Sequence, residues 1–141
     1  MEAGAKYKVL VADDDADILG TISMALEGAG YTVFKAADGL AALDLAESED
    51  PDIAILDLML PKRGGFQILQ RLKGSPKARG KRPLVCMVTG NEGMLHKDFA
   101  ERNGADEYLW KPFAIGRLLD VVRDFVARLD RGVENARPRA K

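Results

Sequence analysis

Five short apolar runs, Lys8–Ala12, Thr32–Ala36, Ile53–Leu56, Leu84–Val88 and Glu107–Trp110, recur along the chain with helical patterns between them. This alternation constrains the fold more than any other feature. Five β-then-α units predict a parallel sheet covered on both faces by right-handed crossovers. The expected class is α/β, a (βα)5 three-layer sandwich. Strand order 2-1-3-4-5 is the common solution at this size. The run Ile53-Ala54-Ile55-Leu56 is apolar on both alternating faces, as a strand buried between two helix layers should be.

The intervening segments read as helices. In Ala16–Gly30, Ile18, Leu19, Ile22, Ala25, Leu26 and Ala29 recur at helical spacing, Asp15 is a candidate N-cap, and Gly28 and Gly30 mark the stop. Tyr31–Ala36 is the second strand, and Asp38-Gly39 is a turn signal that also serves to cap the next helix. Leu40, Leu43 and Ala46 give that helix an apolar face up to Glu49, and Pro51-Asp52 breaks it. A third helix is expected over Gly64–Gly74 on Phe66, Ile68, Leu69 and Leu72. Gly74–Pro83, carrying Lys77, Arg79, Lys81 and Arg82, is expected to be a solvated surface loop, with a basic docking patch as the alternative. Asn91–Asn103 is a more polar helix, and Phe113–Leu129 is the last, with Leu118, Leu119, Val122, Phe125, Val126 and Leu129 on its apolar side. Residues 131–141 hold few large apolar side chains, a proline and four Arg or Lys residues, and are expected to fray or be disordered.

Length and charge set the class. The chain has 141 residues, enough for one domain with a real core, here placed at residues 6–130. A net charge of -1 argues neither for nor against nucleic acid or membrane. The single cysteine, Cys86, excludes an intrachain disulfide, and its apolar run marks it as a buried hydrophobe. No apolar stretch approaches membrane-span length and no signal-peptide core is visible, so a cytoplasmic location is expected.

Polar residues stand at the ends of four runs: Asp13-Asp14-Asp15, Asp57, Thr89 and Lys111. In a parallel α/β sheet those ends share one edge, where ligands bind. Adjacent carboxylates repel, and a hard divalent cation such as Mg²⁺ removes the conflict. The Asp57 carboxylate can also act as a nucleophile and form an acyl phosphate. Lys111 can set a positive charge against it, and the Thr89 hydroxyl can donate to a phosphoryl oxygen. Singly, each is commonplace: a strand-end Asp is usually a helix cap, Thr-Gly a turn, Lys-Pro a strand stop. Their joint placement at successive strand ends is what the commonplace readings leave unexplained.

At these positions the chain resembles the receiver domains of two-component response regulators. The resemblance rests on Lys8-Val9-Leu10-Val11-Ala12-Asp13-Asp14-Asp15, Ile53-Ala54-Ile55-Leu56-Asp57-Leu58-Met59-Leu60-Pro61, Met87-Val88-Thr89-Gly90 and Tyr108-Leu109-Trp110-Lys111-Pro112-Phe113, with Gly65-Phe66 and Gly104-Ala105-Asp106 fitting as well. It runs from about Lys6 to Leu129 and implies a flavodoxin-like fold. It also implies that Asp57 is the phosphoacceptor. Asp14, Asp57 and the Met59 backbone carbonyl would bind Mg²⁺ or Mn²⁺ directly, and Asp13 through a water. Thr89 and Lys111 would hold phosphoryl oxygens, and Tyr108 would be the aromatic switch residue. The implied partners are a sensor histidine kinase or histidine phosphotransfer protein, and a downstream protein met through the fourth helix, fifth strand and last helix. Direct nucleic-acid contact is not expected. The implied form is a stand-alone, chemotaxis-type receiver, monomeric or weakly dimeric.

Phosphorylation adds roughly -1.5 to -2 charge and new acceptor oxygens. Thr89 would be drawn toward them, vacating space into which Tyr108 can turn. Some positions depart from the family pattern. Gly64 replaces a commonly acidic or polar residue, which loosens the loop after Asp57. Met59 and Asn91 lie where side chains tune water access to the acyl phosphate, and bulky Met59 would slow hydrolysis. Trp110 is large for its position and is expected to be partly buried against the last helix. His96, the only histidine, is read as a surface residue.

Two other functions compete. Val11-Ala12-Asp13-Asp14-Asp15-Ala16-Asp17 contains the Asp-x-Asp of haloacid-dehalogenase-type phosphohydrolases. Against this, Asp17 stands where Thr or Val is expected, no acidic pair follows Lys111 at a further strand end, and no segment remains to cap a substrate. The third reading is a degenerate receiver serving as a scaffold, which the intact Asp13, Asp14, Asp57, Thr89 and Lys111 oppose.

Overall fold

The computed structural model describes residues 7–90 and 94–132. Its elements are β1 (Lys8–Ala12), α1 (Ala16–Gly28), β2 (Thr32–Ala36), α2 (Gly39–Glu49), β3 (Ile53–Asp57), α3 (Gly65–Leu72), β4 (Leu84–Thr89), α4 (Met94–Arg102), β5 (Glu107–Trp110) and α5 (Ile115–Arg131). All strand pairs are parallel, in the order β2-β1-β3-β4-β5. The α/β class and the 2-1-3-4-5 order are those expected from the sequence.

The central strands β3 and β4 are buried throughout, whereas β2, at an edge, is only partly covered and exposes Thr32 and Lys35. Two apolar layers flank the sheet. On one face Val9, Val11, Ile55 and Cys86 pack against Ile22 and Leu26 of α1 and Leu118, Val122 and Phe125 of α5. On the other, Leu10, Leu56 and Met87 meet Ala42 of α2, Ile68 and Leu69 of α3 and Ala100 of α4. Each fully buried Leu, Ile or Phe among these stabilises the fold by about 1.5–3 kcal/mol before chain entropy is charged. Cys86 is fully buried, and that burial pushes its thiol pKa up, so it is packing and not a nucleophile. No helix among the described residues is long and apolar enough to cross a membrane.

Helix ends differ from the sequence reading for local reasons. α1 stops at Gly28 because Gly30 takes φ 100°, outside the helical region. α3 ends at Leu72, before Lys73, whose ammonium turns inward. α5 starts at Ile115 and runs to Arg131, past Leu129, and the Tyr7 hydroxyl donates to Asp130 in its last turn. Of the tail expected to be disordered at 131–141, Arg131 is helical as the last residue of α5, and residues 133–141 lie outside the described residues, as does Asn91. His96 falls in α4, but its side chain is also outside them.

The connection over residues 74–83 is not the uniformly solvated loop expected. Arg82 points inward: its side chain is 6% exposed, with Nε 2.7 Å from Asp52 Oδ1 and Nη2 3.0 Å from Asp50 Oδ2. Beside it, the buried Lys73 ammonium lies 3.0 Å from Asp106 Oδ2. Lys77, Arg79 and Lys81 remain exposed.

Candidate functional site

The register of the sheet assembles the site. Ala12 pairs with Leu56, so Asp13 follows β1 beside Asp57 at the end of β3. Asp57 in turn pairs with Val88, next to Thr89, and Thr89 pairs with Trp110, next to Lys111. β1 and β3 are neighbours from which the chain departs in opposite directions, and their carboxyl ends open the crevice where ligands bind.

One carboxylate oxygen from each of Asp13, Asp14 and Asp57 lies within 4.8 Å of the others. Asp13 and Asp57 are buried and Asp14 is exposed, so the cluster opens to solvent on one side. The Asp15 N–H donates to Asp13 Oδ1 at 2.9 Å, and the Met59 N–H to Asp57 Oδ1 at 3.2 Å. Asp15 also caps α1, its Oδ1 accepting from the Asp17 and Ile18 N–H groups. Lys111 reaches across, with Nζ 2.8 Å from Asp13 Oδ2 and 3.4 Å from Asp57 Oδ2. Its N–H donates to the Thr89 carbonyl at 2.7 Å, which ties the β5 end to the β4 end.

The electrostatics suit a cation. Burial, and then the charge of Asp13, hold the Asp57 carboxyl above its ordinary pKa, against the Met59 N–H and Lys111, which lower it. Burial works against the Lys111 charge, but its hydrogen bond to Asp13 and the nearby carboxylates hold its pKa above the usual value. Three carboxylates gather here, and the Lys111 ammonium contacts two of them. Hard oxygen donors with an excess of negative charge fit a divalent cation such as Mg²⁺ or Mn²⁺.

Other candidates lie further out. Thr89 is fully buried at the end of β4. Met59 is 66% exposed, so its side chain projects into solvent beside Asp57. Tyr108 is 6% exposed, and its hydroxyl has no hydrogen-bond partner among the described residues. Its ring centroid lies 4.9 Å from that of Trp110, and the Lys97 ammonium stands 5.6 Å from the Trp110 ring. Trp110 is partly buried, but against Tyr108 and α4, not against the last helix as expected. Side chains alternate along a strand, so Trp110 shares the face of Tyr108 and not that of Leu109, which packs with α5.

Sequence reading did not find the groove beside Lys111. It is about 350 Å³, and Ile18, Thr21, Lys111, Pro112, Phe113 and Ile115 help to line it. Its signal was present in the apolar Pro112-Phe113 pair directly after Lys111.

Comparison with known proteins gives a consistent result. The sequence matches the response regulator receiver domain family over residues 9–123. It is 40% identical over 124 residues to the DNA-binding dual master transcriptional regulator RpaA of Synechocystis, covering 88% of this chain and 51% of that protein. It is 33% identical to the response regulator MprA of Mycobacterium tuberculosis, covering 86% and 51%. The chain thus spans about half the length of these curated relatives. Among solved structures, the receiver domain of the Francisella response regulator 1452 superposes with a TM-score of 0.78 at 31% identity, covering 87% of this chain and 98% of that one. The chemotaxis response regulator CheY4 of Vibrio cholerae gives 0.74 at 30% identity, covering 84% and 98%.

Proposed function

The chain belongs to the response regulator receiver domain family, and from that premise we propose that it is a phosphorylation switch whose acceptor is Asp57. The phosphoryl donor is the phosphohistidine of a histidine kinase or phosphotransfer protein. An Asp57 carboxylate oxygen attacks phosphorus, the phosphorus–nitrogen bond breaks, and the imidazole nitrogen keeps the electron pair and takes a proton from solvent. Water later attacks the same phosphorus, releasing inorganic phosphate and restoring the carboxylate.

The observation that carries this reading is the meeting of Asp13, Asp14 and Asp57 within 4.8 Å, with Lys111 spanning two of them. Asp14, Asp57 and the Met59 carbonyl would hold Mg²⁺ or Mn²⁺, with Asp13 acting through an intervening water. When bound, the ion supplies positive charge to both the carboxylates and the phosphoryl oxygens. Lys111 then has a second task, to leave Asp57 for the transferred group while keeping its shorter contact to Asp13. The Met59 N–H holds one Asp57 oxygen in place and leaves the other toward Lys111 and the incoming phosphorus.

Thr89 senses the new oxygens, and its register partner Trp110, packed on Tyr108, carries the change toward α4. The face formed by α4, β5 and α5 then meets the downstream protein. The groove bordered by Ile18, Pro112 and Phe113 adjoins Lys111, so a donor presenting its phosphohistidine to Asp57 has an apolar surface to rest on. Family membership supports this reading over the hydrolase alternative.

The test is intact mass after incubation with acetyl phosphate and Mg²⁺. One added phosphoryl group, lost on hydroxylamine treatment and absent in Asp57→Ala, is the expected result. No adduct from acetyl phosphate or from a panel of phosphorylated kinases would overturn the switch and leave the scaffold reading.

A further inference from the structure

The loop after Asp57 does not rest on its own flanks alone. Leu58 and Leu60 are buried in the layer beneath α2 and α3, while Met59 between them faces solvent. The Leu58 N–H donates to Val88 at 2.8 Å and the Gly65 N–H to Leu58 at 2.9 Å, which fixes the loop's start against β4 and α3. Its outer turn, Pro61-Lys62-Arg63, sits elsewhere, on the first residue of α2. The Gly39 N–H donates to the Pro61 carbonyl at 3.0 Å, and the Arg63 N–H donates to the same oxygen at 2.8 Å. Lys62, at the apex, takes φ 70°. Its ammonium lies 3.4 Å from Oδ2 of Asp38, the cap of α2.

Gly39 has a normal φ, so its need is for space. A Cβ there would overlap the carbonyl oxygen and Cβ of Arg63. Backbone cannot swing aside as a long side chain can, so any larger residue must push residues 61–63 away. Met59 lies between that turn and Asp57 and is held by one N–H to the Asp57 carboxylate.

We propose that Gly39 is a positioning residue for the metal and phosphoryl site: it seats the Pro61–Arg63 turn and so sets where the Met59 backbone stands relative to Asp57. The inference rests on the reading of Asp14, Asp57 and the Met59 carbonyl as the metal ligands. It places a determinant of metal affinity at the first residue of α2, outside the acidic cluster. Supporting groups one step removed from metal ligands commonly tune affinity by about 10- to 100-fold.

The test is calorimetric titration of the full chain with Mn²⁺, alongside thermal unfolding without metal. Gly39→Ala should bind Mn²⁺ about tenfold more weakly than wild type. Gly28→Ala, where nothing lies within 4 Å of the added Cβ, should bind as wild type does. A second pair of variants covers a Gly39→Ala chain that does not fold. Lys62 is exposed, and Lys62→Val puts a β-branched residue at φ 70°, which displaces the same turn and should weaken Mn²⁺ binding similarly. Lys62→Asn tolerates that φ and should preserve binding. The contrast separates loop geometry from loss of the Asp38 contact, which both variants lack. Undiminished Mn²⁺ affinity in folded Gly39→Ala, or equal affinities for Lys62→Val and Lys62→Asn, would overturn the positioning role. A wild-type chain that binds no Mn²⁺ would overturn the metal reading itself, and the inference with it.

Discussion

Lys111 stands closer to Asp13 than to Asp57, with its ammonium 2.8 Å from one carboxylate and 3.4 Å from the other. One cation therefore relieves the repulsion between two buried acids. Replacing it with Met leaves Asp13 and Asp57 facing each other uncompensated. The Lys111 side chain is 21% exposed, so the loss is smaller than for a fully buried pair, about 2 kcal/mol. The Lys111 pKa is raised in the folded state, so its stabilisation is complete below the unfolded-state value and is lost only as pH rises through the folded one. At neutral pH the whole deficit should be visible in urea unfolding. Saturating Mn²⁺ should restore more stability to Lys111→Met than it adds to wild type, because it replaces the missing charge. Equal gains in both proteins would show that Lys111 and the ion do not share the carboxylates.

Asp57 is kept charged at a cost. Its pKa is raised by burial first and by Asp13 second, so its contribution to stability is best below the unfolded-state value of about 3.8 and worsens as pH rises through the folded one. Asp57→Asn removes the penalty and leaves Lys111 its shorter contact to Asp13. We expect the variant to be about 1 kcal/mol more stable than wild type at pH 7, a rise of roughly 3–5 °C in Tm. The advantage should shrink as pH falls and the wild-type carboxyl protonates. A Tm difference independent of pH between 7 and the acid limit of folding would contradict this account.

Asp106 does more for the fold than its position suggests. Its oxygens accept from the Gly80 N–H at 2.6 Å, the Val85 N–H at 2.8 Å and the Lys73 ammonium at 3.0 Å. Lys73 also donates to the Pro83 carbonyl at 2.9 Å, and burial holds its pKa below the ordinary lysine value despite Asp106. Asp106→Ala strands two backbone donors and a buried ammonium, and should cost about 3–5 kcal/mol. Lys73→Met removes the charge whose burial is unfavourable and leaves Asp106 its two N–H donors, so about 1 kcal/mol is expected. Chemical denaturation of both variants decides it. Equal losses would mean that the pair itself, and not the backbone donors, carries the energy.

These two residues also mark the limit of what the chain discloses in one dimension. Strand ends in a parallel sheet share an edge, so Asp13, Asp57, Thr89 and Lys111 could be grouped from their places after apolar runs. Lys73 and Asp106, or Arg82 and Asp52, carry no such tag, because each pair meets only through the register of β3, β4 and β5. A basic loop looks alike whether its arginine is solvated or buried. Trp110 is a different case. Strand alternation alone puts it on the side of Tyr108, and the expectation that it packs on the last helix overlooked that period. The seat offered by Gly39 could not be read at all, since the need for a missing Cβ appears only once Arg63 is placed against it.

Tyr108 buries a hydroxyl that has no partner among the described residues. Leaving such a group unsatisfied costs about 1–3 kcal/mol, while the ring keeps its contact with Trp110 at 4.9 Å. Tyr108→Phe should therefore raise stability by about 1 kcal/mol in the unphosphorylated protein. Destabilisation on removing the hydroxyl would mean that it is bonded in solution, and the ring would then be held by that bond and not by packing.

Trp110 is the only tryptophan, so its emission reports one place, the neighbour of Tyr108 and the register partner of Thr89. If Thr89 moves toward new phosphoryl oxygens, the Trp110 environment must change with it, and the change must need the Thr89 hydroxyl. Acetyl phosphate with Mg²⁺ should shift Trp110 emission in wild type. Thr89→Ala should still gain the phosphoryl mass, because Asp57, the acidic pair and Lys111 are intact, yet show little or no shift. A mass gain with a full emission change in Thr89→Ala would sever Thr89 from the switch. No mass gain in that variant would instead make the hydroxyl part of the transfer step. Wild type with Mg²⁺ and no acetyl phosphate supplies the baseline, since a shift there comes from metal binding alone.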